Sequence, residues 1–268
     1  PRSTLFPYTT LFRSLFINIQ LTPGEHASAS GKPASQFRVT GTATGVPARA
    51  LTFAGTITPQ TGALELVVEI QGLEVSPELI AAIPGPLPGQ LQGVELDGSA
   101  DATLHLSRPA VGDGQLAWSA DVAFSRGRLG HQSLPQPLTE LTATLRADRD
   151  KLVLRQLTGK LGAAAVTLAC ERHGWSAAAP LGLAGRIQGL AVNPELQAAL
   201  PGGLERLWHR FRPVGIVDAE IQLTFDGRQW RPELTAHCRG LSLTDAEKFP
   251  YPVEQATGTV SQIGRAHV

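Results

Sequence analysis

The sequence contains no methionine and only two cysteines and four lysines among its 268 residues. It has no Cys-x-x-Cys, His-x-His or His-Glu-x-x-His spacing, which are the usual signatures of a metal centre. We therefore predict no metal and no cofactor. Cys170 and Cys238 could form one disulfide, but two buried free thiols are the simpler interpretation.

Catalytic motifs are also missing. Gly41–Gly45 carries two glycines but lacks the Gly-Lys-Ser/Thr ending of a phosphate-binding loop, and there is no Gly-x-Ser-x-Gly nucleophile elbow. Glu65 and Glu69 recur in an alternating polar pattern, which is typical of the solvated face of a strand rather than of paired catalytic acids. His105 belongs to a similar polar alternation. We predict that the chain is not an enzyme.

Long apolar runs and clusters of positive charge are absent as well. No run reaches the ~18 apolar residues that a membrane-spanning helix requires. The 23 basic and 23 acidic residues balance, and no basic patch that would fit nucleic acid stands out. We predict no nucleic-acid partner, whereas the sequence leaves protein partners unknown.

Both ends resemble translated sequencing-adapter DNA. Leu11–Ser14 and Ile263–Arg265 can be encoded by complementary strands of one segment. We therefore expect residues 1–14 and 263–268 to be artefacts that pack poorly, and residues 15–262 to be an internal piece of a longer protein. Without the three arginines at these ends, 20 basic and 23 acidic residues remain, a net charge of −3.

The sequence does contain segments in which apolar and polar residues alternate, and turn residues separate these segments. Hydrophobic residues make up 42% of the chain, with 28 glycines and 20 prolines, which indicates many strands joined by turns. Apolar side chains recur at every second position, as in antiparallel strands with one wet face. We predict turns at Asp97-Gly98, Asp113-Gly114 and Asp226-Gly227. The alternating apolar residues are Leu64, Leu66, Val68, Ile70, Ala102, Leu104, Leu106, Val217, Ala219, Ile221, Leu223 and Phe225.

An internal duplication organises the chain. Ile70-Gln71-Gly72-Leu73 recurs 117 residues later as Ile187-Gln188-Gly189-Leu190, and Asp101-Ala102 recurs as Asp218-Ala219. With small gaps, Leu134–Leu138 then matches Phe249–Val253. We predict two copies of a unit of ~115 residues, with the first β-repeat unit at residues 15–145 and the second at 146–262.

Short helices are predicted at equivalent places in the two copies. Ser76 and Asn193 are favourable N-caps, and a proline follows each at the first helical position. In the second copy, Leu204, Leu207, Trp208 and Phe211 have the spacing of an amphipathic helix. We expect these helices to cap or flank the sheet, with Trp208 and Phe211 packed in a core rather than on a lipid surface.

Two segments resemble a recurring element of the AsmA-like proteins of Gram-negative envelopes. They are Leu134–Leu145 (LPQPLTELTATL) and Phe249–Val260 (FPYPVEQATGTV). Leu152–Gly162 (LVLRQLTGKLG) resembles the strand that follows this element in the family, and the likeness extends over most of residues 37–260. The resemblance implies a mainly β fold, a long curved antiparallel sheet forming a repeating β-groove, with a few short α-helices. It brings no catalytic residues.

The family also implies a function. Its members are bridge-like lipid-transfer proteins, anchored in the inner membrane and linked to lipid transport and outer-membrane biogenesis. We therefore expect lipid acyl chains as partners, bound along the apolar residues given above. We also expect a location in the cell envelope, on the periplasmic side of the inner membrane, with membrane association through segments outside this chain.

Two alternatives remain open. A structural or adhesive cell-surface β-repeat protein would bury the same apolar residues in a closed core. A carbohydrate-binding β module would use Trp118, Trp175 or Trp230 as a stacking platform. Because Trp118 and Trp230 are equivalent in the duplication, a structural role for both is favoured over sugar binding.

Overall fold

A computed structural model gives the fold, and it describes residues 16–24, 36–45, 47–82, 93–110, 115–132, 134–197, 208–245 and 249–263. Thirteen strands and two short helices account for most of these residues. A single helical turn, residues 208–211, lies before β11. The elements are β1 (Phe16–Gly24), β2 (Gln36–Gly45), β3 (Ala48–Thr58), β4 (Ala63–Val75), α1 (Pro77–Ala82), β5 (Val94–Arg108), β6 (Ala117–His131), β7 (Leu138–Asp148), β8 (Lys151–Leu161), β9 (Ala164–His173), β10 (Leu181–Val192), α2 (Pro194–Gln197), β11 (Val214–Phe225), β12 (Trp230–Asp245) and β13 (Phe249–Ile263).

The predicted mainly β class is confirmed. All thirteen strands belong to one antiparallel sheet whose order follows the chain from β1 to β13. In such an up-and-down order each strand pairs with its immediate predecessor in the chain, which is the usual arrangement of consecutive elements. No helix among the described residues is long and apolar enough to cross a membrane.

The duplication recurs as local structure. Gly72 and Gly189 both have positive φ, at 59° and 72°, and each lies where the strand register shifts. The Gly72 amide donates to Asp101 Oδ1 at 2.7 Å, and the Gly189 amide donates to Asp218 Oδ1 at 2.9 Å. Each glycine therefore allows a β-bulge, and each aspartate satisfies the N–H that the bulge removes from the ladder.

The predicted helix starts are confirmed in both copies. The Leu79 amide donates to Ser76 Oγ at 3.3 Å, and the Leu196 amide donates to Asn193 Oδ1 at 3.0 Å. A proline begins each helix, at the position where a missing N–H costs nothing. The residues of the predicted second-copy helix that precede Trp208 lie outside the described part.

One predicted turn is confirmed and one is wrong. Asp226 precedes Gly227, whose φ is 95°, between β11 and β12. Asp226 Oδ1 accepts hydrogen bonds from the amides of Arg228 and Gln229. Asp97-Gly98 instead lies inside β5, where Gly98 pairs with Val75. Its φ of 158° is extended backbone, so this Asp-Gly pair continues a strand. Asp113-Gly114 lies outside the described residues.

The described residues fall into two compact units. The first contains β1–β4 with Asp97–Ser125 and Thr144–Asp150, and the second contains Arg126–Ala143 and the strands from β8 onward. The limits of the two sequence copies stay a prediction, because compactness does not test where a repeat begins. Ile263, the first residue of the expected C-terminal artefact, pairs with Glu233 in β13. Backbone pairing accepts almost any side chain, so the strand includes it.

Candidate functional site

In the first unit, the cross-strand register places apolar side chains in continuous rows on one face, here called the apolar face. Val68 pairs with Phe53 on one side and with Leu104 on the other, and Leu66 pairs with Leu106. Each row extends through β2 to the exposed residues of β1. The three rows are Ile17, Ala43, Leu51, Ile70 and Ala102; Ile19, Gly41, Phe53, Val68 and Leu104; and Leu21, Val39, Gly55, Leu66 and Leu106.

The second unit repeats this arrangement on β8–β12. Ile221 pairs with Gly185 and Leu234, and Leu223 pairs with Leu183 and Pro232. The rows are Gly159, Val166, Ile187, Ala219 and Ala236; Leu157, Leu168, Gly185, Ile221 and Leu234; and Leu154, Cys170, Leu183, Leu223 and Pro232. Within each unit, the sequence-predicted residues therefore share one face. Whether that face lines a lipid groove stays a prediction.

Most of the predicted side chains are only half-buried. Ten of the twelve have intermediate exposure, and Val217 and Ala219 are buried at 8% and 5%. Glycines in the rows make room for their neighbours, because the Phe53 ring lies where a Cβ at Gly41 would be, and Leu168 lies where one at Gly185 would be. The apolar face therefore keeps much of its area in contact with solvent, which is unusual for a contiguous apolar surface.

One end of the apolar face in the second unit is closed by a buried cluster, here called the cap core. Val192, Trp208, Val217 and Leu241 are each 7–8% exposed, and Leu196 of α2 packs against them. Arg210 Nη2 donates to Asp245 Oδ2 at 2.8 Å and fixes the helical turn to the end of β12. The expected core packing of Trp208 is confirmed.

The other end of each apolar face carries an arginine that the sequence argument missed. In the first unit Arg108 follows Leu104 and Leu106 in phase and pairs with Leu64. In the second unit Arg172 follows Cys170 in phase and pairs with Leu152 and Leu181. The alternation itself was the available signal, because both arginines occupy positions at which every second residue before them is apolar.

On the opposite face, here called the charged face, side chains of opposite charge pair across the strands. Lys160 Nζ lies 2.8 Å from Glu140 Oε2, and Arg186 Nη2 lies 2.5 Å from Glu220 Oε1. Of the polar positions predicted from sequence, Glu65, Glu69 and His105 are exposed. Cross-strand pairs of opposite charge stabilise a solvated sheet face modestly.

Two adjoining depressions of about 410 Å³ each lie across β8–β11. They share Arg155, Ala169, Ala184 and Gln222. Ala169, Ala184 and Gln222 are cross-strand partners in a row of the charged face. The residues that the two depressions share therefore lie on the charged face, and row residues such as Leu168 and Leu183 contribute to the lining as well. No group of three or more His, Cys, Asp or Glu gathers within the described ranges.

The remaining candidates from the sequence are two cysteines and three tryptophans. Cys170 and Cys238 are free, half-buried thiols, and burial raises the pKa of the Cys170 thiol. Trp230 packs against Phe225 with ring centroids 4.7 Å apart, and Trp118 and Trp175 are half-buried. Comparison of the chain with family models, with curated proteins and with solved structures finds no match.

Proposed function

We propose that the chain binds lipid acyl chains on its apolar faces, as one part of an AsmA-like lipid-transport protein of the Gram-negative envelope. The observation that carries this proposal is the set of half-exposed apolar rows. In a closed sandwich, Leu66, Val68 and Leu104 would be covered by a second layer. All described strands belong to a single sheet, and these side chains keep intermediate exposure.

The dimensions of a face suit an acyl chain. Five strands at ~4.8 Å spacing give rows about 19 Å long, and one leaflet of a ~30 Å hydrocarbon core holds tails of about 15 Å. Burying a whole 16-carbon tail contributes roughly 12 kcal/mol at ~0.8 kcal/mol per methylene. One face covers about half of the tail, so the gross gain is about 6 kcal/mol, which corresponds to a Kd of tens of micromolar. Apolar contact has no preferred direction, so this weak binding is suited to lipids that slide along the face.

The test uses cis-parinaric acid, whose polyene chain fluoresces when it leaves water. Val67 and Val68 are neighbours in β4 on opposite faces, and Ile221 and Gln222 are neighbours in β11 on opposite faces. We expect Val68→Glu combined with Ile221→Glu to weaken binding more than tenfold, because each carboxylate is placed in an apolar row. The matched control is Val67→Glu combined with Gln222→Glu, which adds the same charge to the wet face.

Equal binding by the two double variants would overturn the proposal, and so would no binding by the wild type at probe concentrations above 100 µM, roughly the range set by the affinity estimate. Far-ultraviolet circular dichroism of both variants establishes that the sheet has formed. The closed-core alternative predicts no fluorescence gain for any of the three proteins.

A further inference from the structure

We infer that β1 is an interaction surface along which two copies of this chain pair their edge strands, antiparallel and about a twofold axis. The register places Ile19 opposite Ile19 of the second copy, and Ile17 opposite Leu21 of the second copy. This pairing joins the apolar faces of two first units into one surface. It requires no bound lipid, and it therefore goes beyond the proposed function.

β1 lacks the features that keep natural edge strands from pairing. It lies at one end of the strand order, and no strand of the described ranges pairs with its outer side. Its nine residues include no charged side chain, and its one proline, Pro23, stands next to its end. β1 pairs with β2 through nine consecutive partners without a bulge. A flat, apolar edge of this kind is a template for another strand.

β13, the strand at the other end of the order, does carry such features. Pro252 has no backbone donor, and Glu254 adds an exposed charge. The register of β13 with β12 shifts at three places, and Gln255 between them has a positive φ of 56°. Prolines, charges and bulges are the means by which natural sheets protect an edge. The sequence of β13 therefore opposes pairing, whereas that of β1 permits it.

The aliphatic side chains of β1 are the most exposed members of the rows to which they belong. Ile17, Ile19 and Leu21 are 57%, 56% and 62% exposed. Inner members of the same rows, such as Val39 and Phe53, have intermediate exposure. A strand added beside β1 would continue each row and cover these side chains from the open side, and removing their apolar area from water favours association.

The order of side chains in β1 is symmetric about Ile19, which makes a second copy the fitting occupant. Outward from Ile19, each direction gives first an amide side chain, Asn18 or Gln20, and then an aliphatic one, Ile17 or Leu21. In an antiparallel pair centred on Ile19, aliphatic side chains therefore meet on the apolar face and amides meet on the charged face. A shift of one residue would turn the aliphatic side chains of the second copy to the wrong face.

The symmetry of this pair also keeps the two apolar faces on the same side. An antiparallel pair of identical edges has its twofold axis perpendicular to the sheet. The row through Leu104, Val68, Phe53 and Ile19 then continues into the same row of the second copy. Ten strands at ~4.8 Å spacing extend the row from about 19 Å to about 43 Å. The seam thus gives an acyl chain, bound as proposed above, a continuous apolar path between two copies.

Sedimentation velocity of the full chain without lipid, from about 1 to about 200 µM, tests the pairing. One strand pair is a small interface, so we expect a dimer with a Kd of roughly tens of micromolar. Ile19→Lys should raise this Kd about tenfold or more, because the twofold axis places two ammonium groups directly opposite each other. The matched control is Val260→Lys, at a residue of β13 that is 61% exposed, and it should leave the Kd unchanged.

A second measurement tests the register and does not depend on β1 tolerating a charge. Ile19→Cys places two thiols opposite each other, so mild oxidation should give a disulfide-linked dimer. Ile17→Cys places each thiol four residues from its counterpart, about 14 Å away, and should not. Both variants carry Cys170→Ala and Cys238→Ala, which remove the free thiols of the chain.

Three results would overturn the inference. They are a monomer at the highest concentration, equal weakening by Ile19→Lys and Val260→Lys, and equal cross-linking at positions 17 and 19. A monomer whose β1 amides exchange slowly at every concentration would overturn it as well, because another segment of the same chain would then cover the edge. The acyl-chain proposal stands or falls separately, since neither experiment contains lipid.

Discussion

The cap core and the apolar rows of the second unit are built on the same strands, yet they differ sharply in burial. Val192 and Val217 at one end of β10 and β11 are 7% and 8% exposed, whereas Leu183 and Leu223 farther along keep intermediate exposure. The difference comes from Trp208 and Leu196, which cover one end and leave the rest of the face uncovered. Stability should therefore depend mainly on the closed end, and ligand binding on the open rows.

We expect the largest loss of stability from a substitution that opens the closed end. Trp208→Ala removes the ring that covers Val192, Val217 and Leu241 and leaves a cavity beneath the helical turn. We expect a loss of about 3–5 kcal/mol in the free energy of unfolding, measured by urea denaturation. Val214→Ala, at a residue that is 57% exposed, is the control and should change stability by less than about 0.5 kcal/mol.

The ligand affinity of the same variant distinguishes the closed end from the open rows. At a temperature where Trp208→Ala remains folded, its affinity for cis-parinaric acid should stay within about twofold of the wild type. Ile221→Ala in the open rows should show the reverse, with a stability loss near 1 kcal/mol, because the side chain is half-buried, and a several-fold weaker affinity. If both variants lose stability and affinity in proportion, the two regions are not distinct.

An intermediate effect concerns the aspartates that hold the two β-bulges. The side chain of Asp218 is 13% exposed, and its carboxylate pairs with Arg239 as well as with the Gly189 amide. Asp101 makes the same bond to Gly72 on an exposed residue. We expect Asp218→Ala to cost about 1.5–3 kcal/mol, as for a charged hydrogen bond out of solvent, and Asp101→Ala to cost under about 1 kcal/mol.

Urea unfolding and amide exchange at Gly72 and Gly189 measure this difference. Asp97→Ala, at an exposed position within β5, serves as the reference. Equal losses in the free energy of unfolding at Asp101 and Asp218 would mean that burial does not set the strength of this bond. The more buried aspartate would then give the second copy no additional stability.

How much of this could be predicted from sequence depends on the range of the interaction. Period-two alternation predicted the faces of β4, β5 and β11 because side-chain direction in a strand is a local property. The N-caps at Ser76 and Asn193 were also predictable, since each bond spans three residues. The turn at Asp97-Gly98 failed because glycine can also adopt extended backbone, and the pairing with Val75 decides between the two.

The arginine at the end of each face had only a partial signal in the sequence, because the alternation gives its phase but not its cross-strand neighbours. A charge that follows an alternating run reads as the end of a strand, and only the register shows that Arg108 lies beside Leu64 and Arg172 beside Leu181. Likewise, the separation of a closed end from open rows depends on where Trp208 packs, and no local pattern gives that contact.

The smallest expected effect uses the two thiols as reporters of the two regions. Cys170 lies in an apolar row between Leu154 and Leu183, and Cys238 packs against the cap core. The thiolate is the reacting form of cysteine, and burial raises the pKa of Cys170. Its reaction with N-ethylmaleimide should therefore be slower at pH 8 than that of a free cysteine. The midpoint of its rate against pH should lie above the ordinary value of about 8.5.

A bound acyl chain should separate the two cysteines further. If tails lie along the rows, palmitate will slow the labelling of Cys170 by several-fold, because the chain covers the sulfur, and will leave Cys238 unchanged, because Trp208 and its neighbours already exclude ligand there. Peptide mass spectrometry after short labelling times gives both rates from one sample. Protection of Cys238 alone would place the ligand at the closed end, and protection of neither would remove the rows from the binding surface.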